Sequence, residues 1–119
     1  MHIITLIIIL LVALIHLYIV YLEMVLWNTK KGIKAFGLKN KEFAEETKVM
    51  AANQGLYNGF LSAGFIFAIS QNDMKIAIFF LICVTIAGFY GSYSTKNIRL
   101  FFVQGIPAII TLIVLLINK

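Results

Sequence analysis

Four apolar stretches, Ile3–Trp27, Val49–Ile69, Met74–Ser94 and Ile98–Ile117, account for most of this chain and leave one substantial polar link and two short ones between them. Each approaches the ~20 residues that a helix needs to cross ~30 Å of hydrocarbon. The chain has 119 residues and is 61% hydrophobic. A soluble domain is nearer half apolar, and nothing here has the length for a separate catalytic domain. The pattern predicts an all-α polytopic membrane protein. It is expected to form an antiparallel bundle of four transmembrane helices, at about 3–27, 41–69, 74–94 and 98–117, in one integral membrane domain spanning residues 1–119.

The first stretch differs from a cleaved signal peptide. It has no basic leading segment, its apolar core is too long, and no small-residue cleavage site follows, so it reads as a retained helix. Cys83 is the sole cysteine and falls inside the third stretch. An intrachain disulfide and a dithiol redox pair are therefore excluded, and the residue reads as a small apolar packing group.

The net charge of +5 has an informative distribution. Lys30, Lys31, Lys34, Lys39, Lys41 and Lys48 lie between the first two stretches, and Lys96 and Arg99 lie between the last two. Only Lys75 and Lys119 fall on the other side. This positive-inside bias predicts cytoplasmic basic links and both termini outside. The excess lysine is assigned to orientation and to anionic headgroups, not to nucleic acid.

The longest link, from Asn28 to Lys48, opens with lysines interleaved with Ile33, Phe36 and Leu38 around Gly32 and Gly37. That spacing predicts an amphipathic hook at the membrane surface. Asn40 reads as an N-cap, with Glu42, Glu45 and Glu46 in the following turns, where negative charge suits the helix dipole. Ser70–Asp73 is a short turn that caps the third helix. Pro107 lies within the fourth helix; it has no N–H to give the carbonyl of Val103, and a kink is expected there.

Five carboxylates are present, and Glu23 is the one within a candidate span. An acid at membrane depth costs about 2.5–3.5 kcal/mol on insertion scales and usually faces a partner or a cavity. His16 and Trp27 fall on the same helical face as Glu23 at ~100° per residue. The second helix carries Asn53-Gln54-Gly55-Leu56-Tyr57-Asn58-Gly59, an unusually polar string for a span. With the expected topology, these residues, Tyr90 and Gln104 all fall in the cytoplasmic leaflet. The prediction is an intramembrane polar pocket with Glu23 and His16 as acid/base groups. Trp27, Asn53, Gln54, Tyr57, Asn58, Tyr90 and Gln104 are the expected ligand-binding residues. Each also has a plainer reading. Glu23 can snorkel to the interface, Trp27 suits an aromatic belt, and the amides suit interhelical hydrogen bonding. Two potential ligands seven residues apart are too few for a metal site.

Glu23-x3-Trp27, the Asn53–Gly59 string, Ala87-Gly88-x-Tyr90-Gly91 and Gln104-x2-Pro107-Ala108 resemble a family of small bacterial four-helix membrane proteins described only as a domain of unknown function. The similarity covers essentially the entire chain. It implies a compact multi-pass bundle in the bacterial cell membrane, and it carries no activity and no cofactor over to these residues.

Three functions compete. In the first, the pocket takes a small lipid-like or amphipathic ligand from the cytoplasmic leaflet, with isomerase- or cyclase-like acid/base chemistry within reach of Glu23 and His16. In the second, the chain is a proton-coupled transporter acting as a homo-oligomer. In the third, it is a non-catalytic accessory subunit. The outer half of the sequence offers few polar residues, which favours the first reading over the second. Membrane lipids and further copies of the chain are the expected partners; the cofactor, if any, is left undefined.

Overall fold

A computed structural model describes residues 1–118. All of its regular structure is helical: α1 (Ile3–Met24), α2 (Lys30–Phe36), α3 (Lys41–Ser70), α4 (Met74–Thr95), α5 (Ile98–Leu100), a π-helical turn (Phe101–Gly105) and α6 (Ile106–Ile117). Three stretches, Ile3–Met24, Met74–Thr95 and Ile98–Ile117, are long and apolar enough to cross a membrane. α3 has the length but not the composition, because of its charged first turns and the Asn53–Gly59 string.

The exposed side chains suit a hydrocarbon surround. On α1, Ile3, Ile7, Leu10, Leu14, Leu17 and Tyr21 recur at three- and four-residue steps, and all are exposed. Such a stripe facing outward would be unfavourable in water and is favourable against lipid.

Contacts divide the chain into two compact units, Met1–Ala13 with Ala63–Lys119, and Leu14–Ser62. In the first unit, Phe65, Leu81, Val84, Ala108 and Leu115 are fully buried. Small residues set how closely its backbones approach. A Cβ on Gly88 would lie 2.8 Å from the backbone nitrogen of Gly105, so α4 meets the π-helical turn main chain to main chain. Asp73 caps α4 by accepting from the Lys75 amide at 2.8 Å. The N-terminal ammonium donates to Asn72 Oδ1 in the same turn.

The kink expected at Pro107 takes a defined form. The Ile106 amide donates to the carbonyl of Phe101, five residues back, and the π-helical turn ends where α6 begins. Proline removes one donor from the ladder, and the register slips by one residue instead of leaving a simple break.

In the second unit, α1 ends at Met24, three residues short of the expected limit. The reason lies in the turn that follows. The amides of Val25 and Leu26 both donate to the carbonyl of Tyr21, and Thr29 Oγ1 donates to the carbonyl of Leu26 at 2.7 Å. The Thr29 hydroxyl also accepts from the Gly32 amide and so caps α2. The expected hook is this seven-residue helix, with Lys30, Lys31 and Lys34 exposed and Ile33 and Phe36 half-buried. Gly37 closes it in the left-handed conformation at φ 63°, which glycine adopts without a Cβ clash. α3 starts as expected, with Asn40 Oδ1 accepting from the Phe43 amide at 2.7 Å.

Candidate functional site

Glu23 lies in the last turn of α1, a turn that holds no basic residue. The C-terminal end of a helix carries partial negative charge, so a carboxylate is electrostatically misplaced there. It is nevertheless buried, at 8% exposure. Asn58 of α3 supplies its partner: Nδ2 donates to Glu23 Oε1 at 2.5 Å and lies 3.3 Å from the Gln54 carbonyl one turn back. Glu23 Oε2 has no partner among the described residues.

The close approach of α3 to this end of α1 depends on Gly55. A Cβ there would collide with Met24 Cγ and come within 3.2 Å of Glu23 Cβ. Gly59 faces Val20 one turn on, and Ser62 is buried. The small residues Gly55 and Gly59 thus lie on the face of α3 that packs on α1.

An open cleft of about 420 Å³ borders Glu23. Trp27, Asn28, Lys48 and Asn53 contribute its other polar and aromatic surface, and Val25 and Val49 line it with exposed apolar groups. Several of these side chains are fixed from behind. Trp27 Nε1 donates to Thr47 Oγ1 at 3.0 Å, and its ring packs on Phe36 with centroids 4.8 Å apart. Asn28 Nδ2 donates to Glu45 Oε1 at 2.8 Å, and Lys48 Nζ pairs with the same carboxylate at 3.3 Å. The Asn28 bond, followed by Lys48, holds the exposed Glu45 carboxyl below its ordinary value.

Not all the expected residues meet here. Glu23, Trp27, Asn53 and Asn58 do, although Trp27 stands in the turn beyond α1 and not on its face. His16 is buried two turns earlier on α1 and does not line the cleft. The Gln54 side chain is exposed. Tyr57 is exposed as well, its ring 6.3 Å from that of Phe60, because one helical step separates it from Asn58. Tyr90 and Gln104 belong to the other unit, where Tyr90 is exposed on α4 and Gln104 is half-buried in the π-helical turn.

Asn28, Glu45, Thr47 and Lys48 were not expected at the site. A signal for two of them exists: Glu45, Lys48, Val49, Ala52 and Asn53 recur at helical spacing, so the Asn53 face runs back into the charged first turns.

The model of a family described as "Protein of unknown function (DUF1304)" matches residues 10–116. The chain belongs to the DUF1304 family. The "Uncharacterized protein YpaA" of Lactococcus lactis subsp. lactis (strain IL1403) is 36% identical over 116 residues, covering 95% of this chain and 97% of that protein. No solved structure matches. The DUF1304 match spans both units of the chain and brings no activity with it.

Proposed function

We propose that this DUF1304 protein is a four-span protein of the bacterial cell membrane whose cytoplasm-facing cleft binds a small amphipathic ligand. In this reading α3 is the remaining span. Its 30 residues give ~45 Å of helix, enough to leave its charged start in water. Its exposed Met50, Tyr57, Phe60 and Phe67 supply a lipid-facing stripe. Orientation follows from the lysines of residues 30–48, which put α2 and the cleft mouth on the cytoplasmic side and the termini outside.

One observation carries the ligand reading: a buried carboxylate with one oxygen engaged by Asn58 and the other without a partner, in the wall of an open cleft. The free oxygen is open to the cleft, where a bound donor can engage it. Val25 and Val49 offer apolar contact for the rest of such a molecule. Binding is favoured over acid/base turnover because His16, the second proton-transfer group, is absent from the wall.

Native mass spectrometry of the protein, released gently from membranes, tests this. The wild type is expected to retain a small-molecule adduct that Glu23→Gln loses while remaining folded. An adduct-free wild type, or an adduct indifferent to Glu23→Gln, contradicts it.

A further inference from the structure

The hydrogen-bonding state of the cleft wall narrows the chemistry of its occupant. Four side chains with donor groups border it: Trp27 Nε1 is engaged by Thr47, Asn28 Nδ2 gives one bond to Glu45, Lys48 Nζ pairs with Glu45, and the Asn53 amide has no partner among the described residues. Of the two charged groups on this wall, Lys48 is paired with Glu45, and Glu23 has no countercharge among the described residues. Glu23 Oε2 and Asn28 Oδ1 have no partner among the described residues. The helix end beneath Glu23 adds further negative potential, with no basic residue in its last turn. With its indole N–H committed to Thr47, Trp27 presents only its ring to the cleft, a surface that attracts cations.

Resting on the reading above that the cleft binds an amphipathic molecule, we propose that its occupant is an organic ammonium. Its N–H groups donate to Glu23 Oε2 and Asn28 Oδ1, and its chain lies along Val25 and Val49. An anionic headgroup would face the unpaired carboxylate, and a neutral hydroxyl would leave that charge uncompensated. The ammonium chemistry has two sources, an aminophospholipid of the membrane or a free alkylamine.

Trp27 is the sole tryptophan, so fluorescence excited selectively over the five tyrosines reports on this cleft alone. Wild-type protein in dodecyl maltoside micelles is titrated with decylamine, decanol, decyl phosphate and phosphatidylethanolamine. Decylamine is expected to give a saturable change at least about tenfold tighter than decanol, as a charge-assisted hydrogen bond implies. Glu23→Gln is expected to remove that preference without changing the helical circular dichroism. A response to phosphatidylethanolamine assigns the site to a membrane lipid, and a response to decylamine alone assigns it to a free amine; both support the proposal. Equal or tighter binding of decanol or decyl phosphate by the wild type overturns the ammonium assignment and leaves the cleft as a ligand site. A preference for decylamine that survives in Glu23→Gln overturns the role of the carboxylate. No saturable response to any probe overturns this inference and the ligand reading together.

Discussion

Glu23 and Asn58 form a couple in which each residue depends on the other. Removing the amide leaves a buried carboxylate without its donor, which costs about 1–3 kcal/mol or more for a charged group. Asn58→Ala is therefore expected to lower stability by that amount in a reversible unfolding titration. In the Glu23→Gln background the same change is expected to cost less, so a double-mutant cycle reads the coupling directly. Gly55→Val adds volume where Met24 and Glu23 already touch the backbone. It is expected to cost about 1–3 kcal/mol by overpacking, measured the same way. Glu23 was legible in the sequence because it is the one acid in an apolar run. Asn58 was legible only as one amide among several, since periodicity assigns a face and not a partner. The place of Trp27 was not legible, because the Thr29 capping bonds end α1 before reaching it.

At the scale of elements, the break before α6 and the link around Glu45 carry the predictions. Pro107→Ala restores the missing donor, and the turn Phe101–Gly105 is expected to relax to α-helical register. The new amide at position 107 then becomes protected in hydrogen exchange; an unprotected amide there contradicts the assignment of the π-helical turn to proline. The disturbance was readable from Pro107, but not its form. One lost hydrogen bond can be absorbed as a bend or as a register slip, and the main-chain contact of Gly88 with Gly105 accompanies the slip. Glu45 joins the Asn28 turn to α3, and its carboxyl titrates below the ordinary value of 4.5. A depressed folded value means the link is intact above the ordinary range and is lost as pH falls through the lowered value. Carboxyl carbon NMR is expected to show that low titration in the wild type and its return toward 4.5 in Asn28→Ala.

For the whole molecule, apolar patterning gave the all-helical class, and three of the four expected spans are helices long and apolar enough to cross a membrane. The remaining stretch, read in the sequence as a span like the others, lies in α3, whose charged first turns and Asn53–Gly59 string leave it less apolar than those three. The central claim is a polar hollow that opens to the cytoplasm beside Glu23. Asn53 lines that hollow, so Asn53→Cys, made with Cys83→Ser, is tested with a membrane-impermeant thiol reagent on vesicles of each orientation. Modification from the cytoplasmic face alone is the predicted result. Modification from the outer face, or from neither, contradicts it.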